Sequence, residues 1–248
     1  MADAPTPPAK PAARPIPRRG RLRVIVALGL FLLALGYVIV EVSTREPGEA
    51  SIEVDGIGDA QRIFGGIPQH GDRVGSADAP VTIQVFNDLQ CSNCREDFLS
   101  TIPTLVEDYA RPGDVKLLMR HYSNSINTEQ LGFYGAEAAA EQGYGWQYTY
   151  LFFRNQDEAE KFGVDDEFLA TIAGSVGEIE TPEWELAKEE GEEPDSTIDR
   201  RLEGYEELGQ ELGIRVRQAA IVTGPSGTRT LQDGPSLAEI EQAIEEVE

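Results

Sequence analysis

The most apolar part of the chain is a run of seventeen residues without a charge, from Val24 to Val40. At 1.5 Å per residue the run makes a helix of about 25 Å, and Leu22 with a snorkelling Arg23 extends it toward the roughly 30 Å of a hydrocarbon core. Because no polar face remains, the pattern predicts a transmembrane helix and not a buried helix of a soluble domain. No small-x-small cleavage site follows at 41–45, which favours an uncleaved signal anchor over a cleaved signal peptide.

Shorter apolar runs follow, some with the compact β-branched character of strands and some with helical spacing. Strands are predicted at 81–86, 114–122, 219–223 and 228–232. Helices are predicted at 91–110, 131–142, 145–153, 165–173, 197–212 and 236–247. Pro103 should kink the first of these helices, and Ser236 with Glu239 should begin the last one as a capping box. Residues 41–65 show no strong periodicity and are predicted to be an extracytoplasmic spacer.

The order of these elements predicts an α/β fold. The crossover between the first two strands makes them parallel, and the turn at 224–227 joins the last two as a hairpin. Residues 66–248 are therefore expected to form one domain, a small mixed sheet with helices on both faces. A helical block at about 128–212 interrupts the sheet.

The charge is acidic overall and unevenly distributed. The chain has 44 Asp+Glu against 21 Lys+Arg, a net charge of −23, which argues against nucleic acid as a partner. Residues 1–23 nevertheless hold six bases, one acid and many prolines, which predicts a disordered basic tail. Under the positive-inside rule this tail is cytoplasmic and residues 41–248 lie outside the membrane.

The two cysteines, Cys91 and Cys94, are separated by Ser92 and Asn93 at the point where the first strand gives way to a helix. A helix N-terminus stabilises a thiolate and lowers its pKa from about 8.5 into a range of roughly 3.5–7.5. Cys91 is therefore the expected nucleophile. Cys94, on the same stripe as Phe98 and Ile102, is the expected resolving thiol.

Three other interpretations of the pair remain open. The cysteines form a structural disulfide, half of a zinc site, or two inert buried thiols. A zinc site within one chain lacks further ligands, because the two histidines, His70 and His121, are distant in sequence. A site shared between two chains needs fewer ligands from each.

Two segments around the cysteines, 77–83 (ADAPVTI) and 86–94 (FNDLQCSNC), resemble the membrane-anchored DsbA-like branch of the thioredoxin-fold disulfide oxidoreductases. The similarity extends over roughly 66–248, and 136–146 (AEAAAEQGYGW) is similar to the family's helical insertion. The resemblance implies a thioredoxin core, Cys91 and Cys94 as the redox pair, and exchange with thiols and disulfides of exported proteins. It implies a separate redox partner and no cofactor.

The chain departs from this family before its third core strand, where a cis-proline normally faces the cysteines. Gln218 stands at that position. A cis Arg217–Gln218 bond would cost about 2.5–4 kcal/mol, so a trans bond is predicted. Arg217 and Gln218 are then candidates for a substrate-facing loop in which Arg217 stabilises a thiolate.

Other polar and aromatic residues are weaker candidates for a role. Asp88 is either a proton relay to Cys91 or a turn former, and His121 is expected to be structural. The aromatic residues at 146–153 are expected to be core, with a substrate groove as the alternative. For the whole chain, the prediction is a membrane-anchored thiol–disulfide oxidoreductase. The alternative is a non-catalytic envelope binding module with a structural disulfide.

Overall fold

The structure, a computed structural model, describes residues 52–123, 131–157, 164–215 and 218–248. The helices of this part are α1 (Ile57–Phe64), α2 (Ser92–Leu105), α3 (Leu131–Glu141), α4 (Gly145–Arg154), α5 (Asp166–Val176), α6 (Thr181–Glu192), α7 (Thr197–Glu211) and α8 (Leu237–Val247). The strands are β1 (Gln69–His70), β2 (Arg73–Val74), β3 (Val81–Asn87), β4 (Val115–His121), β5 (Ala219–Gly224) and β6 (Gly227–Gln232).

The six strands form one mixed sheet in the order β1-β2-β4-β3-β5-β6. β3 and β4 are parallel, with Val81 opposite Val115 and Asn87 opposite His121. β5 is antiparallel to β3, and the hairpin to β6 closes between Gly224 and Gly227. The predicted α/β class, the parallel first pair and the hairpin are confirmed. The short strands β1 and β2 were not predicted, because residues 67–80 contain only turn signals.

The expected spacer over 41–65 is wrong in its last part. Ile57–Phe64 forms helix α1, which packs against α4 and buries Ala60, Ile63 and Phe64 in the core. The compact unit begins at Ile52 and not at residue 66. Eight residues contain barely two helical turns, so their apolar positions are too few to show a period. Tertiary packing stabilises this helix.

Helix α2 carries the cysteines and continues past its proline. Pro103 lies inside the helix and lacks the N–H that would donate to a carbonyl one turn earlier. The chain then widens into a π-helical turn over Val106–Ala110, in which the Arg111 N–H donates to the Val106 carbonyl at 2.8 Å. The predicted helix over 91–110 is confirmed, and its irregularity follows the proline.

The main core lies between one face of the sheet, α2, α8 and the helical block. Its aromatic centre is built on Trp146, whose ring stacks on Phe98 at a centroid distance of 6.3 Å. Phe98 also contacts Phe153 at 4.9 Å. All the aromatic side chains of 146–153 are buried, so they are core residues and do not line an open groove.

A smaller apolar cluster covers the opposite face of the sheet near the ends of β3 and β4. Phe86 and Tyr122 meet edge to face at 6.0 Å, with Ala219 and Ile221 beside them. Leu208 of α7 packs on this cluster. The helical block therefore returns to the sheet through α7, and helices lie on both faces as predicted.

Helix α6 (Thr181–Glu192) was missed as a separate element because acidic residues dominate 178–199. Trp184 is buried and its Nε1 donates to the Gly135 carbonyl at 2.8 Å. Lys188 is buried as well and binds Asp166 through Nζ at 2.8 Å. A few buried residues thus place this acidic helix against α3 and α5.

The predicted basic tail at 1–23 and the predicted transmembrane helix at 24–40 lie outside the described residues. Within the described ranges, no helix combines the length and the apolarity needed to cross a membrane.

Candidate functional site

The cysteine pair lies at the carboxyl end of β3, where the chain enters α2. Cys91 is the N-cap residue of α2, and its Sγ accepts a hydrogen bond from the Cys94 backbone N–H at 3.2 Å. The two residues form a disulfide, with their Cα atoms 5.1 Å apart. One sulfur thus receives a backbone N–H at the positive end of a helix dipole, an arrangement that stabilises a thiolate once the disulfide opens.

The two sulfurs have different surroundings. Cys91 is only partly buried, whereas Cys94 is fully buried and lies in the core with Phe98 and Ile102. The sequence placed Cys94 on this stripe, and the structure confirms that position. Of the pair, Cys91 is the one that another protein can reach.

Asp88 shapes the loop that presents Cys91. Its backbone carbonyl accepts from the Cys91 N–H at 3.1 Å, and its carboxylate accepts from the Gln90 N–H at 2.9 Å. The second carboxylate oxygen accepts from the Ser123 hydroxyl at 3.0 Å. Asp88 is buried, so these bonds make it the turn former that the sequence offered as one of two roles. Its role as a proton relay stays a prediction.

A second anchor ties this loop to the helical block. Gln156 is buried and donates through Nε2 to the Leu89 carbonyl at 2.7 Å. Arg95, in the first turn of α2, pairs with Asp157. The sequence did not predict either contact, because nothing in the local pattern near Gln156 shows which backbone group its side chain binds.

Gln218 lies beside the cysteine-bearing turn, directly before β5. Its side-chain Nε2 donates to the Cys94 carbonyl at 3.2 Å. The structure therefore brings Gln218 to the redox pair, as the sequence comparison expected of this position. Arg217 lies outside the described residues, so its placement near the sulfurs and the trans Arg217–Gln218 bond stay predictions.

Asp97 of α2 is an acidic side chain that lies beside Gln218. Burial raises the pKa of its carboxyl above the ordinary value, and the neighbouring charge of Glu96 raises it further. A hydrogen bond from Gln218 lowers the pKa and so favours the charged form. Gln218 thus lies beside both Cys94 and a carboxylate one turn further along the helix.

A buried polar cluster lies at the end of β4, consisting of His121, Glu137 and Arg201. His121 stacks on Phe133, and its Nε2 is 3.8 Å from the Glu137 carboxylate. Arg201 Nη1 donates to the other carboxylate oxygen at 2.8 Å. Burial lowers the pKa of His121 to about 3, with the Arg120 charge adding to the effect. Burial raises the pKa of Glu137 to about 7 despite Arg201.

This cluster predicts a specific pH dependence of stability. Glu137 has an ordinary pKa of 4.5, so the folded state holds its proton up to about pH 7 and stability is lost as pH rises through this window. His121 acts oppositely, because the unfolded chain protonates it below 6.5 and the folded protein does not. In the wild type the two contributions largely cancel.

Glu137→Gln removes one side of this balance. The substitution is expected to lower the free energy of unfolding more at about pH 5 than at about pH 7. The difference between the two losses is expected to be about 2 kcal/mol. Urea unfolding at the two pH values measures it. Glu141→Gln is the matched control, since Glu141 pairs with the same Arg201 at 3.5 Å but is 40% exposed. An equal loss at both pH values for Glu137→Gln would contradict the assignment.

No group of three or more His, Cys, Asp or Glu side chains within the described residues is arranged to hold a metal ion. His70 and His121 lie on different strands, and neither joins the cysteines in such a group. A metal shared between two chains involves a second copy of the chain, so that alternative stays untested.

The amino-acid sequence is similar to a known protein family and to a named bacterial protein. The family model described as Thioredoxin matches residues 69–193. Disulfide bond formation protein D of Bacillus subtilis (strain 168) is 24% identical over 176 residues, which cover 69% of this chain and 74% of that protein.

Solved structures show the same architecture. Oxidised BdbD from Bacillus subtilis superposes with a TM-score of 0.59 and 22% identity, over 72% of this chain and 95% of that one. The alpha-DsbA1 protein of Wolbachia pipientis has a TM-score of 0.57 and 13% identity, over 71% and 89% of the two chains. DsbA of Chlamydia trachomatis has a TM-score of 0.57 and 17% identity, over 70% and 88%. These likenesses show a shared fold.

Proposed function

The chain belongs to the thioredoxin family, and on that premise we propose that it is a DsbA-like thiol–disulfide oxidoreductase acting through Cys91 and Cys94. One observation carries the proposal: Cys91 caps the N-terminus of α2 and is partly exposed, while its partner Cys94 is buried. A purely structural disulfide would add little stability here, because with two intervening residues it closes a very small loop.

The proposed reaction is an exchange at sulfur. A client thiolate attacks Cys91 Sγ, the Cys91–Cys94 bond breaks, and its electron pair leaves on Cys94, which takes up a proton. A second client thiolate then attacks the client sulfur bound to Cys91. Cys91 leaves as a thiolate, stabilised by the N-terminus of α2. The client is oxidised and the pair is reduced, so a redox partner must reoxidise it; the same steps in reverse reduce a client.

We further propose that the domain works outside the cytoplasmic membrane on exported proteins, held there by residues 24–40. The support is the apolar run and the basic residues before it, which are features of the sequence alone. Disulfides form and persist in an oxidising compartment, so exported proteins are where such a cysteine pair finds clients that need disulfides. The proteins that a Cys94→Ser chain captures in cells test this location, as set out in the Discussion.

A second candidate is a thioredoxin-like binding or assembly module whose disulfide is only structural. The replacement of the family proline by Gln218 favours it, because that proline belongs to the loop that receives substrates in the family.

The reduction potential of the Cys91–Cys94 pair separates the two functions. Titration in defined thiol–disulfide buffers is expected to give a reduction potential well above about −300 mV. Structural disulfides typically have potentials below this value. Alkylation of the reduced protein should show a Cys91 pKa below the ordinary value of about 8.5. A potential below about −300 mV, together with an ordinary thiol pKa, would favour the binding module.

A further inference from the structure

Gln218 does more than occupy the position of a missing proline. The side chain of this residue, which directly precedes β5, reaches across to α2, where Nε2 donates to the Cys94 carbonyl at 3.2 Å. The carbonyl belongs to the peptide that joins Cys94 to Arg95, and the N–H of this same peptide donates to the Cys91 carbonyl at 3.2 Å. One peptide unit therefore links Gln218 to the backbone of both cysteines. Hydrogen bonds in such a chain polarise and strengthen each other.

A second side chain of α2 lies beside the carboxamide. The carboxylate of Asp97 and the Gln218 carboxamide both lie against Gly234, and Gln218 acts to lower the pKa of Asp97. Asp97 lies three residues after Cys94, so both of these contacts fall on the same face of α2. Gln218 is thus bonded to the Cys94 carbonyl and lies beside Asp97 on the same helix.

The loop at Gly234 closes over this pair of side chains. The Gly234 N–H donates to the Gln218 backbone carbonyl at 3.3 Å. A Cβ at Gly234 would lie 2.4 Å from Asp97 Oδ2 and 3.0 Å from Gln218 Oε1, and its φ of +69° favours glycine. The backbone at Gly234 therefore packs closely against both side chains. Gln218 is thus enclosed between α2, to which it is hydrogen-bonded, and the loop at Gly234.

We propose that Gln218 is a positioning residue of the exchange reaction, which rests on the proposed function. Its carboxamide holds the backbone of Cys94 in the geometry of the closed pair after the disulfide has opened. Preorganisation of this kind raises the rate of an intramolecular attack, because less freedom is lost on the way to the reactive geometry.

The step that depends on Gln218 is the attack of Cys94 on a mixed disulfide at Cys91. The Cys94 thiolate forms a bond to Cys91 Sγ with its own electron pair. The bond between Cys91 and the external sulfur breaks, and its electron pair leaves on the external thiolate, which takes a proton from solvent. The pair is oxidised to the disulfide and the external molecule is released as a thiol, with no other oxidant needed.

The test uses glutathione as the external thiol. Reduced protein is mixed with oxidised glutathione, samples are quenched with acid, and mass spectrometry follows the adduct at Cys91 and its conversion to the disulfide. Gln218→Ala is expected to slow this conversion about tenfold, the factor set by the loss of one well-placed hydrogen bond. The equilibrium between disulfide and dithiol should move toward the dithiol by a similar factor, which corresponds to about 30 mV.

Gln218→Glu is the second variant. It keeps the length of the side chain, but its carboxylate cannot donate to the Cys94 carbonyl and faces Asp97. It should therefore slow the conversion at least as much as Gln218→Ala. A double-mutant cycle with Asp97→Ala should show coupling, since Asp97 lies beside the Gln218 carboxamide.

Gln232→Ala is the matched control. Gln232 bridges two backbone groups of the same approach to β5, donating to the Gly213 carbonyl and accepting from the Arg215 N–H, each at 3.2 Å. It should leave the conversion unchanged. Equal rates in folded Gln218→Ala, Gln218→Glu and wild type would overturn the positioning role. A wild-type chain that forms no adduct would instead overturn the proposed function, so the two failures are distinct.

Discussion

Cys91→Ser is expected to abolish thiol–disulfide exchange, whereas Cys94→Ser is expected to stop the reaction at a covalent adduct. Cys91 is the partly exposed sulfur at the N-terminus of α2, so its loss removes the atom that clients attack. Cys94 is buried and serves to release the adduct from within. Non-reducing electrophoresis of cell extracts, followed by mass spectrometry of the shifted bands, measures both outcomes.

The double variant carrying both serines is the control, and it should form no adduct. Adducts of the Cys94→Ser chain are expected in the membrane fraction and are expected to contain exported proteins. Adducts made with cytoplasmic proteins alone would contradict the proposed location. A Cys94→Ser chain that is folded but forms no adduct at all would contradict the catalytic role of Cys91.

Trp146→Ala is expected to lower the free energy of unfolding by about 3–5 kcal/mol. Trp146 is fully buried and touches Phe64 of α1 and Phe98 of α2, with ring centroids 6.4 and 6.3 Å away. Its Nε1 also donates to the Asp72 carbonyl at 3.0 Å, in the turn between β1 and β2. The substitution leaves a cavity where the helical block, α1 and α2 meet. It also removes one of the two hydrogen bonds that the Asp72 carbonyl accepts, the other coming from the Met119 N–H at 2.9 Å.

Thermal or urea unfolding of the oxidised protein checks this expectation, and the melting temperature should fall by about 10 °C. Leu186→Ala is the matched control, because Leu186 is 57% exposed and should have little effect. If Trp146→Ala lowers the free energy of unfolding no more than Leu186→Ala does, the site closes without leaving a cavity. That result would contradict the tight packing of Trp146 against Phe64 and Phe98.

Strand and helix positions near the cysteines could be predicted from the sequence because they depend on local patterns. Val81 to Phe86 is a β-branched run, and the helix after Cys91 repeats its apolar positions at Cys94, Phe98 and Ile102. The capping box of Ser236 and Glu239 was equally visible, since both of its hydrogen bonds join residues three apart.

Elements that depend on distant contacts could not be predicted from the sequence. Helix α1 is too short to show a helical period. Helix α6 exposes so many acidic residues that its buried Trp184 and Lys188 do not form a recognisable apolar stripe. The burial of Glu137 and His121 together was equally hidden, because β4 and α3 bring them close only in the folded chain. Their shifted pKa values follow from that burial.

The sequence by itself determined the fold class, the cysteine pair at a helix start and the relative burial of Cys91 and Cys94, since spacing within one helix decides which sulfur faces the core. It also showed that glutamine replaces proline at 218. Only the tertiary structure decided what that glutamine contacts, because its partner carbonyl is 124 residues away in the chain. A hydrogen bond across such a separation depends on the pairing of β5 with β3, which no local pattern specifies.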